Sequence, residues 1–329
     1  LHDLIEAIRP QQHGLAEGLE VFQSIDWPEH LQDFVDAAMR SAGQALRAFE
    51  SFEQALQAPQ PAFVAYRAMG QTTKAIEALY PVASMLPPVS RFYLEPDQRD
   101  NTELLKRLAA VDVGAQNVGL MHANNGADER GGFSVYVPEY FEGQALPLVL
   151  ALHGGSGHGR QFIWSWLRAA RSYNCIVVAP TSAEGTWSLM DPAVDAQRLN
   201  ALVAYASEHW NIDPQRVLLT GMSDGGTFSY VAGLQDDTPF THLAPCSASF
   251  HPMLAEAASA ERLQDLPIYL IHGVLDWMFP IDVARTAQQT LQAAGAQVVY
   301  AEVEDLSHTY PEEYSAKVLQ WVQEPAAAR

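Results

Sequence analysis

The sequence predicts an α/β protein: a mostly parallel sheet with helices on both faces, preceded by an α-helical N-terminal region. From Phe133 onward, short apolar runs alternate with helix-length runs, the pattern of strand–helix–strand units stacked into one sheet. Before about Val111 the apolar residues recur at three- and four-residue steps instead. A length of 329 residues leaves room for one large or two modest domains. The expected division is a helical accessory domain over 1–112 and an α/β domain over 113–329.

In the first region, Leu31, Phe34, Val35, Ala38, Ala42, Leu46, Phe49, Phe52 and Leu56 mark a helix over Leu31 to Ala58, closed by Pro59-Gln60-Pro61. A second helix, Ala62 to Tyr80, carries Phe63, Tyr66, Met69, Ile76 and Leu79, and a short third runs from Thr102 to Ala110. Such large apolar side chains need cover. They are expected to build a homodimer or to shape or cover the entrance of the site described below, in preference to serving as an independent binding module.

In the second region the expected strands are Phe133–Val137, Leu148–Leu152, Ile176–Ala179, Val217–Thr220, Leu243–Ser247, Ile268–Ile271 and Val298–Val303. The expected helices are Gln161–Ser172, Asp191–Trp210, Thr227–Leu234, Ile281–Ala294 and Glu312–Gln323. Within the first of these helices Trp164 and Trp166 point about 200° apart, so one of them is expected in the core.

The chemistry is most concentrated at Gly221-Met222-Ser223-Asp224-Gly225-Gly226, directly after the apolar run Val217 to Thr220. A strand, a Gly-x-Ser-x-Gly turn and a helix together form a bend that pushes a serine hydroxyl above the carboxyl end of a sheet. A serine needs a base, and the base an orienting carboxylate, in chain order Ser, acid, His. Asp276 follows the strand ending at Ile271, and His308 follows the strand ending at Val303. Asp282 competes as the acid but reads as a first-turn helix residue. His272 and His153 compete as the base but sit at strand ends beside glycine. His251 precedes the acid and is expected to line the pocket.

A tetrahedral oxyanion also needs donors. The residue after the nucleophile, Asp224, supplies one backbone N–H. Gly155, in His153-Gly154-Gly155 after the Leu148–Leu152 strand, is expected to supply the other. Trp187, Trp277 and Phe279 lie in loops on the same edge and are expected, with His251, to contact substrate; aromatics there suit an apolar or aromatic group.

These segments resemble the α/β-hydrolase family. The likeness is to the esterase branch that includes polyhydroxybutyrate-depolymerase-like enzymes, feruloyl esterases and phospholipase/carboxylesterases. Besides the segments above, Asn211-Ile212-Asp213-Pro214-Gln215-Arg216-Val217, His272-Gly273-Val274-Leu275-Asp276 with Pro280, and Ser307-His308-Thr309-Tyr310-Pro311 carry it. The resemblance runs from about Gly131 to the C-terminus and implies serine-dependent hydrolysis of a small-molecule ester through an acyl-enzyme. A thioesterase, lipase or peptidase of the same fold shares the triad chemistry, and a non-catalytic binding protein of that fold is the remaining alternative. Asp224 departs from the small or neutral residue expected after the nucleophile.

Composition narrows the partners. The chain carries 48% hydrophobic and 18% charged residues, an ordinary globular balance. A net charge of −20, with lysine only at Lys74, Lys106 and Lys317, disfavours nucleic acid and anionic membranes. In the strand order that the hydrolase resemblance implies, the strands of Cys175 and Cys246 are not neighbours, so the two are expected as buried thiols rather than a disulfide. No spacing of Cys and His suggests a metal site, and no cofactor is expected. No run is long enough to span a bilayer. No signal peptide is visible after Leu1, and a cytoplasmic location is the expectation.

Overall fold

The computed structural model describes residues 2–112 and 115–324; the side chains of Ala62, Phe63, Tyr66 and Met69, three of them members of the expected apolar stripe, lie outside that description. The chain forms two compact units, Leu1–Leu94 and Glu95–Arg329.

The first unit is helical. Helices α1 (His2–Gln23), α2 (Gln32–Gln54), α3 (Pro61–Leu79) and α4 (Pro87–Phe92) are joined by short 3₁₀ turns. The α2 and α3 helices pack together, and α1 packs on α2. The break between α2 and α3 falls where prolines required it, with Pro61 taking the first helical position, where its missing N–H costs nothing. The α1 helix had no element of its own in the sequence reading, because Pro10, Gly14 and Gly18 interrupt it. Phe22, Trp27 and Phe34 form an aromatic cluster with ring centroids 4.7 to 5.8 Å apart. Tyr93 donates to the Ile76 carbonyl at 2.5 Å, tying the chain after α4 to α3.

The second unit opens with α5 (Thr102–Ala109), capped by the Asn101 side chain, which accepts from the Glu103 and Leu104 N–H groups. On sequence this helix was grouped with the N-terminal domain; it falls instead in the second unit. Its Arg107 guanidinium lies 4.3 Å over the Tyr140 ring and donates to the Tyr140 carbonyl at 3.4 Å. The unit boundary is therefore at Leu94/Glu95 rather than at residue 112.

Eight strands build the sheet: β1 (Gly119–Ala123), β2 (Phe133–Val137), β3 (Leu146–Leu152), β4 (Ile176–Pro180), β5 (Ile212–Met222), β6 (His242–Cys246), β7 (Pro267–Gly273) and β8 (Gln297–Val303). Their order is β1-β2-β4-β3-β5-β6-β7-β8. β1 and β2 are antiparallel and β2 pairs antiparallel with β4; the other pairings are parallel. The β3, β4 and β6 strands are buried along their whole length, which is why β3 and β4 read as continuous apolar runs, while β6 opens on the buried His242. The edge strand β1, half-buried and carrying His122 at an exposed position, gave no such signal.

The connecting helices are α6 (Gly159–Phe162), α7 (Trp164–Tyr173), α8 (Pro192–His209), α9 (Asp224–Gly233), α10 (Met253–Ala257), α11 (Ala260–Leu263), α12 (Ile281–Ala293) and α13 (Glu313–Gln323). The expectation that one of Trp164 and Trp166 is core needs correcting, since both are buried. The α7 helix packs on β2 and β4 and also on α13, and between them these elements enclose both side chains. Cys175 and Cys246 are buried free thiols, with β3 and β5 standing between their strands.

A buried ion pair pins α7 to the end of β2. Arg171, 3% exposed, donates to Glu139 at 3.0 Å. The Tyr136 hydroxyl donates to the same carboxylate at 2.8 Å, and the Tyr140 hydroxyl donates to the Arg171 carbonyl at 2.7 Å. Removing one member of such a pair leaves a charge in a place water cannot reach. We expect Glu139→Ala to lower the unit's unfolding free energy by about 3–5 kcal/mol in urea titrations followed by circular dichroism. A loss under about 1 kcal/mol would mean that water replaces the carboxylate.

Candidate active site

The site begins with a shortage of space at the end of β5. The chain leaves β5 at Met222 and starts α9 at Asp224, with Ser223 as the single residue between. To turn that fast Ser223 takes φ 56° and ψ −118°, a region non-glycine residues seldom occupy, at about 1–3 kcal/mol. The glycines around it have no room for a Cβ. At Gly221 one would lie 2.4 Å from the Gly225 carbonyl carbon, and at Gly225 one would lie 2.3 Å from the Leu152 oxygen. Helix α9 thus rests directly on the end of β3. Ser223 is held from both sides, its N–H donating to the Cys246 carbonyl at 3.0 Å and its own carbonyl accepting from Thr227 N–H at 2.8 Å.

The loop after β8 carries His308. Its Nε2 lies 2.9 Å from Ser223 Oγ and its Nδ1 lies 2.8 Å from Asp276 Oδ2. Two residues on, Tyr310 is wedged against Phe162 and Trp166, with ring centroids 5.3 and 6.2 Å away, and its hydroxyl is 3.0 Å from Ser315 Oγ. Ser315 in turn donates to the Ser165 carbonyl at 2.7 Å. The histidine loop is therefore anchored on α6, α7 and α13.

Asp276 sits in the loop after β7. Its Oδ1 accepts from the Met278 and Phe279 N–H groups, each at 2.9 Å, which leaves Oδ2 for the imidazole. Burial pushes the Asp276 carboxyl up, but the Phe279 N–H, His308 and the Met278 N–H together outweigh it and hold it below the usual aspartate value. An ionised Asp276 accepts from Nδ1–H, and this places the free lone pair of His308 on Nε2, facing the serine. The Leu275 N–H donates to the Leu306 carbonyl at 3.0 Å, so the acid and histidine loops are joined by backbone. Gly273 is required there, since a Cβ would lie 2.3 Å from the Leu306 oxygen.

The other sequence candidates fall elsewhere. Asp282 is 82% exposed on its side chain and pairs with Arg285 at 3.2 Å. His272 is fully buried behind the acid; its Nε2 is 2.8 Å from the Phe279 carbonyl and 3.5 Å from Asp276 Oδ2. His251 is exposed, and its Nδ1 accepts from Met253 N–H at 3.3 Å, in its own loop. Trp187 is 3% exposed and belongs to the core. Its indole N–H donates to the His153 carbonyl at 2.8 Å, so it supports the glycine loop from below instead of lining a pocket. Trp277, 74% exposed, and Phe279 do flank the site, with ring centroids 6.2 and 5.4 Å from that of His308.

The glycine loop after β3 is pinned by His153. Its Nε2 accepts from Ser182 N–H at 3.0 Å, so Nδ1 carries the proton that is given to the Gly154 carbonyl at 2.7 Å. Ser156 N–H donates to the Gly185 carbonyl and Gly157 N–H to the Gly154 carbonyl. Gly155 lies against the start of α9, where a Cβ would come 2.7 Å from Asp224 Oδ2. The first N–H groups of α9 point out of the helix without intrahelical partners and carry its positive dipole end. Sequence reasoning did not single out Thr186, whose hydroxyl donates to Asp224 Oδ2 at 2.5 Å, nor the anchoring part of Tyr310.

The C-terminal part of the chain, residues 192–324, matches the phospholipase/carboxylesterase family. A stretch of 146 residues is 33% identical to the bifunctional acetylxylan esterase/xylanase of Neocallimastix patriciarum, covering 43% of this chain and 21% of that protein. The chain thus spans about a fifth of the length of that relative. Among solved structures, a fluorophosphonate-binding serine hydrolase of Staphylococcus aureus, FphF, superposes with a TM-score of 0.50 at 13% identity, over 63% of this chain and 98% of that one. Zea mays acyl-protein thioesterase 2 gives a TM-score of 0.46 at 17% identity, over 58% and 97%.

Burial pushes His153 down to about 4, so it is neutral in the folded protein near pH 7. In the unfolded chain it titrates near 6.5. Its contribution to stability is complete above about pH 6.5 and is lost as pH falls toward 4, by up to about 3 kcal/mol. The Asp276 contribution is lost only at lower pH, below the ordinary aspartate range. We expect the thermal midpoint to fall between pH 6.5 and 4, and His153→Asn, although less stable at pH 7, to show a flatter slope there. Equal slopes would assign the acid sensitivity to other groups.

Proposed function

We propose that the chain is a serine esterase of the α/β-hydrolase kind, cleaving carboxylic esters through an acyl-enzyme. The observation that carries this reading is the hydrogen-bonded run Ser223 Oγ–His308–Asp276 at 2.9 and 2.8 Å. In the proposed reaction Ser223 Oγ attacks the ester carbonyl carbon while His308 Nε2 takes its proton. Asp276 keeps the imidazole in the tautomer that can accept, and stabilises the imidazolium once formed. The negative charge gathers on the former carbonyl oxygen, where the N–H groups of Asp224 and Gly155 receive it. Each such donor is typically worth about 3 kcal/mol in the transition state. As the tetrahedral adduct collapses, the bond to the alcohol breaks and His308 delivers the proton to the leaving oxygen. Water, deprotonated by the same histidine, then cleaves the acyl-serine and restores the enzyme.

The chemistry calls for no cofactor. Trp277 and Phe279, placed beside the base, favour a small ester with an apolar or aromatic portion.

Ser223→Ala should lower turnover of p-nitrophenyl acetate by about a million-fold while the circular dichroism spectrum is kept. Asp276→Asn should lower it by about four orders of magnitude through the wrong tautomer. Retention of more than a few per cent of activity in a folded Ser223→Ala protein would remove the nucleophile, and with it the reading. A panel adding acyl-CoA and peptide amides ranks ester against thioester and amide.

A further inference from the structure

We propose that the Asp224 side chain is a specificity determinant: a fixed carboxylate beside the oxyanion site that selects esters uncharged near the scissile bond over anionic ones. The inference rests on the esterase reading and adds to it a substrate class. Asp224 contributes its backbone N–H to the proposed oxyanion site, so its side chain cannot be far from the reacting carbonyl. Its direction is fixed. Oδ2 accepts from the Thr186 hydroxyl at 2.5 Å, and lies 2.7 Å from where a Gly155 Cβ would stand. The carboxylate therefore lies against the second proposed donor as well as the first. Among the described residues its hydrogen-bond partner is a neutral hydroxyl and not a cation, so the bond orients the charge without cancelling it. Arg130, whose field also reaches His153, directs its donors to the Ser182 carbonyl and hydroxyl and the Gly157 carbonyl.

An anion on the substrate within several ångströms of this carboxylate is repelled, and more strongly where water is thin. A neutral ester is not. The ordinary explanation of an acid in a first helical turn is a favourable contact with the helix dipole. That role would stabilise α9 and leave discrimination between substrates unchanged. A pair of esters identical in size and scissile bond separates the two: 3-acetoxybenzoate, an anion, and 3-acetoxybenzamide, which is neutral.

The measurement is the ratio of kcat/KM for the two esters by release of the phenol. At low salt the full chain should favour the benzamide by on the order of tenfold. Asp224→Asn should bring the ratio to within about twofold of unity, whatever its effect on each rate separately. About 0.5 M NaCl should narrow the gap in the native protein and leave the variant where it is. Asp282→Asn, which removes an exposed acid held by Arg285, controls for the overall charge of −20 and should keep the native ratio. Equal turnover of the two esters by the native protein overturns the proposal; so does an unchanged ratio in Asp224→Asn, or an equal shift in Asp282→Asn. Should Asp224→Asn fail to fold, Asp224→Ser reads the same ratio. If the native protein cleaves neither of these esters nor phenyl acetate, the esterase reading itself has failed.

Discussion

The close contact between the start of α9 and the end of β3 is the constraint from which the rest of the site follows. Gly225 has no space for even a methyl group above the Leu152 and His153 carbonyls, so a helix comes as near to a strand end as backbone permits. That approach forces the reversal into one residue and puts Ser223 at φ 56°. It also brings the open N–H groups of α9 next to the glycine loop that follows β3. The proposed nucleophile and the proposed oxyanion donors are thus products of one packing event. The strain at Ser223 is offset by the hydrogen bonds on either side of it and by the buried sheet beneath.

The surrounding loops are locked to one another as well as to the sheet. Backbone from the acid loop meets backbone from the histidine loop at Leu275 and Leu306, and Tyr310 carries the second loop down onto α7 and α13. Placing a base within hydrogen-bond reach of a serine requires tolerances of a fraction of an ångström. Such tolerances come from fastening each loop at several points.

Much of this was legible in the sequence because each of Ser223, Asp276 and His308 follows a strand closely, and a strand end is a local feature. The Gly-x-Ser-x-Gly bend, the apolar runs of β3 to β7 and the prolines between α2 and α3 likewise announce themselves within a few residues. What could not be read depends on where a side chain turns or on what packs against it from far along the chain. Trp187 was expected at the substrate because its loop is on the right edge, but its indole turns inward to the His153 carbonyl. Thr186 and Tyr310 have partners 38 and 5 residues away, and in Tyr310 the ring contact to Phe162 spans far more of the chain. The α5 helix was grouped by its neighbours in sequence, whereas Arg107 ties it to Tyr140 in the second unit. The short, half-polar β1 strand follows from its pairing with β2, a partner the sequence alone does not announce.

The exposure of Trp277 has an optical consequence. Of the seven tryptophans, Trp164, Trp166, Trp187, Trp210 and Trp321 are buried, Trp27 is half-buried, and Trp277 is 74% exposed. Its emission belongs at the red edge of the protein's fluorescence, apart from the bulk of the buried indoles. Its ring is also 6.2 Å from that of His308, so the red-edge emission comes from an indole standing beside that histidine. A molecule that covers Trp277 moves this emission toward the blue, and the light then reports occupancy of this edge without label or turnover.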